Sequence, residues 1–232
     1  MAGGERRVQV LELLTANGLD LVRLCDRCLS ELPKISGAGI AVMTTLPTRG
    51  IRYVSDKISG RVEELQFSLG EGPGLDAFEE GQPVLVADLA DREHALRWPA
   101  FAADALVAGA RALFAFPLRL GAINLGVLNL YRQRPGALTN EEHGQALVFA
   151  DTATLLLLAE GLSAADDRYR LTAYDQRAVV HQATGMVAVQ TGSTISEAFA
   201  RLRAYAYGDD RTLAGVADDV VERRLRFDKL GD

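Results

Sequence analysis

The chain has 232 residues, 48% of them apolar and 24% charged, with 31 acids against 25 Lys plus Arg and a formal net charge of −6. This composition excludes a disordered, collagen-like or disulfide-dense chain, and its negative sign argues against a protein that binds nucleic acid over its whole surface. No run approaches the roughly 18 apolar residues that a membrane span needs, and Glu12 and Asn17 interrupt any signal-type segment after Arg7, so no membrane partner and a cytoplasmic location are expected.

Val8 to Glu31 reads as helix, broken near Asn17-Gly18 and ending before Pro33. Within it Leu21, Leu24, Cys25, Cys28, Leu29 and Leu32 recur at helical spacing, which puts both cysteines on the apolar face. A Cys-x-x-Cys pair can serve redox chemistry or supply half of a zinc site. Zinc would need two further ligands, whereas His94, His143 and His181 are scattered along the chain. Two buried cysteines acting as small hydrophobes are therefore expected, with no metal.

Gly39 to Leu46 reads as a buried strand, and Ile51 to Ser55 as its hairpin partner across Pro47 to Gly50. Arg61 to Leu69 reads as a further strand. The run Gly70-Glu71-Gly72-Pro73-Gly74 lacks the Lys-Ser/Thr of a phosphate loop, and Leu75 stands where a dinucleotide fingerprint needs Gly. It is read as a tight turn from strand into a short helix through Leu75, Ala77 and Phe78. Val84 to Ala87 is a brief strand, and Trp98 to Val107 a helix with Pro99 in its first turn. Arg111 to Leu120 and Asn124 to Tyr131 form the strongest strand pair, turning at Gly121. Thr139-Asn140-Glu141-Glu142 opens a helix that continues through Leu158.

Chemistry is sparse along this stretch. Ser55, Ser59 and Ser68 lack a Gly-x-Ser-x-Gly context, Glu63-Glu64 and Glu79-Glu80 read as solvated charge, and His94 as an exposed loop residue. The expectation is a protein that is not an enzyme. Residues 1–160 then make an α+β domain with one antiparallel sheet flanked by helices.

From about Gly161 the strands stop. Ser163 to Asp167 reads as an elbow, and Leu171 to Gln190 as one long helix. Thr194 caps the next, with Glu197 as capping-box partner. Leu213, Val216, Ala217, Val220, Val221 and Leu225 mark a third, giving a C-terminal three-helix bundle over 161–232. From residue 164 onward 10 Lys plus Arg nearly balance 11 acids, so the distribution matters more than the total. Arg201, Arg203 and Arg211 surround the junction of the last two helices, and Arg223, Arg224, Arg226 and Lys229 load the tail. Tyr205 and Tyr207 fall near them, with rings able to stack on bases. From these residues alone the bundle reads as a solvated helix face or as a nucleic-acid surface.

The first domain resembles a GAF domain, on Leu-Gly-Glu-Gly-Pro-Gly at 69–74, Gly-Gln-Pro-Val-Leu-Val-Ala-Asp-Leu at 81–89, Arg97-Trp98-Pro99, Phe116 to Leu120 and Leu125 to Tyr131. The second resembles an ANTAR domain, on His181-Gln182-Ala183-Thr184-Gly185-Met186-Val187, Glu197-Ala198-Phe199, Leu202 to Ala206 and Leu213 to Ala217. The first resemblance implies a sensor domain of a kind that either binds a small molecule, here unidentified, or binds nothing known, with no evident cofactor. Pocket cysteines of the tetrapyrrole-binding and methionine sulfoxide reductase kinds are missing. The second implies binding of RNA hairpins and transcription antitermination. The family's Ala-Lys-Gly is here Ala183-Thr184-Gly185, which removes one cation from the implied RNA face.

The RNA-binding residues so implied are His181, Ala183, Thr184, Gly185, Arg201, Arg203, Tyr207 and Arg211. Ala183, Thr184, Gly185, Arg203 and Arg211 are expected on one accessible face, with the two arginines meeting phosphates. The alternative is a ligand-binding or dimerisation module whose C-terminal helices contact protein. A homodimer is also expected. The helix Ala146 to Leu158 is apolar on more than one face and its own sheet covers only one, leaving a stalk surface for a second copy; the alternative is a helix buried within one domain.

Overall fold

The computed structural model describes residues 8, 10, 12, 20–43, 50–162, 173–209 and 211–227. By internal contacts the chain divides into two compact units, Met1–Asp166 and Asp167–Asp232.

The first unit is built on a five-stranded antiparallel sheet of order β2-β1-β5-β4-β3, from β1 (Gly37–Val42), β2 (Gly50–Val54), β3 (Val84–Val86), β4 (Ala112–Leu120) and β5 (Ile123–Arg132). The pair read as strongest in the sequence, β4 and β5, forms a hairpin in register from Ala112↔Arg132 to Leu120↔Ile123. Alternation sends successive side chains to opposite faces. One set, Ala38, Ile40, Val42, Phe114, Phe116, Leu118, Leu128 and Leu130, meets α1 (Leu21–Glu31) and α6 (Asn140–Leu162) in the main core. The other set, Ala41, Leu113, Ala115, Val127 and Tyr131, lies under α2 (Lys57–Leu69), α3 (Pro73–Glu80) and α5 (Pro99–Ala108). A short α4 (Arg92–Arg97) precedes α5.

Three expectations change here. Arg61 to Leu69 is not a strand but most of helix α2, which starts one residue after Asp56. The Asp56 carboxylate accepts the amides of Ile58 and Ser59 at 2.8 Å, and the Ser59 hydroxyl accepts the amide of Asp56, a complete capping box. Consequently the Gly-rich run turns from helix into helix, with Gly70 left-handed at the end of α2 (φ 69°). The expected hairpin turn at Pro47 to Gly50 and the strand end at Thr44 to Leu46 lie outside the described residues, Gly50 excepted, as do the break at Asn17-Gly18 and the elbow at Ser163 to Asp167.

The third change concerns the stalk. Every residue from Ala146 to Leu158 is buried or half-buried. Ala146, Val148, Phe149, Ala150, Ala153 and Leu157 share one cluster with Leu21, Leu24, Cys25 and Cys28 of α1, with Val10, and with the sheet. The second surface that α6 requires is thus α1, from the same chain, and the premise for a stalk homodimer falls away.

The second unit comprises α7 (Ala173–Thr191), α8 (Ile195–Gly208) and α9 (Leu213–Val221), each packed against the other two. Thr194 and Glu197 form the expected capping box, and Thr212 caps α9. Val180, Ala183, Val187, Ala198, Leu202, Ala206, Leu213, Val216, Ala217 and Val220 are its buried apolar residues.

Candidate functional site

In the second unit the bundle core claims part of the expected face. Ala183 is fully buried, and Thr184 is buried with its hydroxyl donating to the Val180 carbonyl at 2.7 Å. Neither can stand on an accessible surface, which corrects the expected face. The physical reason is spacing: Val180, Ala183, Thr184 and Val187 follow i, i+3, i+4, i+7 and are the inward stripe of α7. The outward stripe is instead His181, Gly185 and Val189, with Gln182 beside them. His181 and Gln182 are exposed, and Val189 is 85% exposed. A Cβ added to Gly185 would meet nothing within 4 Å, so the space beside this mid-helix glycine is open.

On α8 Arg201, Ala204 and Tyr207 are exposed at successive turns, Tyr207 at 65%. Arg203 is half-buried, its guanidinium 4.9 Å over the Phe199 ring. Tyr205, offered by the sequence as a base-stacking ring, packs edge-on against Phe227 with centroids 5.5 Å apart. Arg211 does not present a spare charge. It donates to the Asp219 carboxylate and to the Gly215 carbonyl, and lies 3.7 Å from Asp209. Hydrogen bonds from Arg211 first, then from Arg224, hold the Asp219 carboxyl below the usual aspartate range.

In the first unit a buried polar cluster lies between α2 and the sheet. Glu63, expected as solvated charge, is 2% exposed, and Asn129 donates its side-chain amide to the Glu63 carboxylate at 2.7 Å. Gln66 accepts the amide of Gly74 at 2.6 Å. Glycines make the room: a Cβ on Gly39 would stand 2.5 Å from the Glu63 carboxylate, and one on Gly74 2.7 Å from the Gln66 carbonyl oxygen. Two atoms of this cluster, the Gln66 side-chain nitrogen and the Asn129 carbonyl oxygen, are buried without a hydrogen-bond partner among the described residues. One of these atoms is a donor and the other an acceptor.

The most recognisable sequence motif of this unit is structural. Arg97 donates to Asp76 and Glu80, each at 2.7 Å, and the Trp98 indole donates to Asp76 at 3.1 Å. His94 stacks on Trp98 with centroids 5.6 Å apart, so it is half-buried rather than an exposed loop residue. Glu71 accepts the amides of Ala100 and Phe101 at the start of α5. Cys25 and Cys28 are each 1% exposed and unbridged. Burial first, then the charge of Glu31, pushes the Cys28 thiol up to about 12, and burial raises Cys25 further still, which opposes thiolate chemistry. Among the described residues no group of three or more His, Cys, Asp or Glu side chains could hold a metal ion, and no helix is long and apolar enough to cross a membrane.

Comparison with known proteins gives two family matches, a GAF domain over residues 18–157 and an ANTAR domain over residues 171–221. No curated protein matches the chain by sequence. Among solved structures, the chain is similar to a domain described as belonging to a two-component sensor histidine kinase protein of Sinorhizobium meliloti 1021, at 21% identity and TM-score 0.47, over 63% of this chain and 95% of that one. It is also similar to the GAF domain of an Acinetobacter phosphoenolpyruvate-protein phosphotransferase, at 10% identity and TM-score 0.46, over 72% and 99%. A type II free methionine-R-sulfoxide reductase from Thermoplasma acidophilum matches at 13% identity and TM-score 0.39, over 66% and 95%.

Proposed function

The chain belongs to the GAF family through residues 18–157 and carries an ANTAR domain over residues 171–221; from this premise we propose that it is a cytoplasmic, signal-responsive regulator whose C-terminal bundle binds RNA stem-loops and causes transcription antitermination. Domains of these kinds are regulatory in character, and we read the chain as a regulator rather than an enzyme.

The observation that carries the RNA reading is Gly185. A glycine inside a helix costs about 1 kcal/mol relative to Ala, and the open space beside it shows no packing reason for that cost within the described residues. A helix face without a Cβ lets another backbone approach closely. His181, Gln182 and Val189 border this position, while the exposed Arg201 and Tyr207 of α8 supply a cation and a stacking ring. The residues proposed to meet RNA are therefore His181, Gly185, Arg201 and Tyr207, with Arg203 held over Phe199 as a further cation. Ala183 and Thr184 support them from within the bundle, and Arg211 from its surface pairing with Asp219.

The signal would enter the first unit as a small polar molecule, for which the unpartnered donor of Gln66 and acceptor of Asn129 offer a recognition pair. The exposure of Val189, Ile195 and Tyr207 favours the second reading, in which the bundle meets a protein.

RNA recovered by crosslinking to the full chain, followed by binding of the recovered hairpins at several salt concentrations, separates the two. Enriched stem-loops whose affinity falls steeply with salt are expected for phosphate contacts. Recovery of no RNA above background would leave the protein-partner reading in possession.

A further inference from the structure

The ANTAR match ends at Val221, yet the described chain continues to Phe227 and folds back onto the bundle. The Phe227 amide donates to the Gln190 side chain at 2.9 Å, and the Phe227 ring packs on Tyr205. Between α9 and this anchor stands a complete Schellman turn. The Arg223 amide donates to the Val220 carbonyl at 3.0 Å and the Arg224 amide to the Asp219 carbonyl at 2.7 Å. That turn requires a left-handed residue, and the residue there is Arg223, at φ 61° the only non-glycine with positive φ among the described residues. Glycine takes this position without strain, and a side chain with a Cβ does not.

The neighbouring cations have intramolecular work. Asp219 binds both Arg211 and Arg224, and Glu222 also pairs with Arg224. Arg223 is exposed and, among the described residues, makes no ion pair. At a position that favours glycine the chain thus keeps a guanidinium that has no ion pair among the described residues, on a turn fixed by two backbone hydrogen bonds and an aromatic anchor. The backbone that carries this charge is fixed, and a guanidinium suits a phosphate in particular.

We propose that Arg223 is a phosphate-contacting residue, and that the turn Arg223–Phe227 extends the RNA surface of this chain beyond the limits of the matched domain. This inference rests on the RNA-binding reading. RNA is favoured over an acidic protein because the guanidinium stands in the same small unit as the exposed Arg201 and Tyr207, a cation and a ring suited to phosphates and bases.

The test compares full-length protein with the Arg223→Gly and Arg223→Lys variants on a pool of RNA hairpins with randomised loops, over a range of salt. Arg223→Gly relieves the strained backbone, so its thermal midpoint should hold or rise by about 4 °C. Its affinity should nonetheless fall about 3- to 10-fold, with the log–log salt slope shallower by about 0.7 to 0.9, the signature of one lost phosphate contact. Arg223→Lys keeps the charge and should retain most of that slope. If wild-type protein binds the pool and Arg223→Gly binds it equally with the same slope, the Arg223 proposal is overturned while the RNA reading stands. If wild-type protein binds no hairpin, both fall together. A helix-end charge acting only on the α9 dipole would instead show as a lower midpoint with unchanged affinity, which also overturns the proposal.

Discussion

Asn129 on the central strand β5 donates to Glu63 on α2 at 2.7 Å, and both side chains are almost wholly buried. A buried carboxylate is tolerated only where donors meet it, so this bond fastens α2 to the sheet. Removing the donor by Asn129→Leu should destabilise the first unit by about 1–3 kcal/mol, read as an earlier transition in urea. Gly39→Ala should produce a loss of similar size by thrusting a Cβ into the same carboxylate. Because the two changes act on one group, the double variant should lose less than the sum of the single losses; strict additivity would contradict the shared network.

The same cluster explains what sequence reading could and could not reach. The β4–β5 pair was legible because Phe114, Phe116 and Leu118 alternate with smaller residues facing the other side, and the cysteines because leucines flank them at helical spacing. Helix α2 was not, since its buried face carries Ser59, Glu63 and Gln66 as well as Val62 and Leu65. Polar residues at core positions hide the helical period. The surviving signal was Asp56 three residues before Ser59, a capping box without the usual Glu or Gln. On α7 the motif residues Ala183-Thr184-Gly185 are consecutive, and a helix turns by about a quarter of a revolution per residue. They therefore cannot all face one way, and the core takes two of them.

Acid should loosen the C-terminal bundle through Asp219. Its carboxyl is held below the ordinary aspartate range by Arg211 and Arg224, so the ionised form is favoured in the folded state. The stabilisation is fully present above the unfolded-state pKa and is lost as pH falls through the depressed folded value. Following the Asp219 carboxyl by NMR should give a midpoint below that of an ordinary aspartate. Replacing Arg211 and Arg224 with Ala should bring the midpoint back up. An unshifted wild-type midpoint would show the ion pairs to be open in solution.

Cys25 and Cys28 should resist labelling by a thiol reagent in native protein and react promptly once the chain is unfolded. Both lie at 1% exposure with thiols raised well above neutral pH. Replacing both with Ala should cost roughly 1–3 kcal/mol in stability and leave the proposed RNA binding unaffected. Rapid native labelling would return redox chemistry to consideration.

Helix α6 is the last described element of the first unit. Its first turn is fixed by Arg132, which donates to Glu142 at 3.0 Å and to the carbonyls of Gly136 and Ala137. Its later turns bury Phe149, Ala153 and Leu157 together with α1 and the sheet. A helix apolar on more than one side needs more than one surface to lie against, and here the chain provides both. Leu157 is 7% exposed, so Leu157→Glu places a carboxylate in an apolar cluster. The expected cost is about 3 kcal/mol or more, seen as a lower thermal midpoint at every protein concentration. The mass in sedimentation should match that of wild-type protein wherever the variant is still folded. A variant that keeps its midpoint but sediments at half the wild-type mass would mean that Leu157 faces a second copy across a stalk interface.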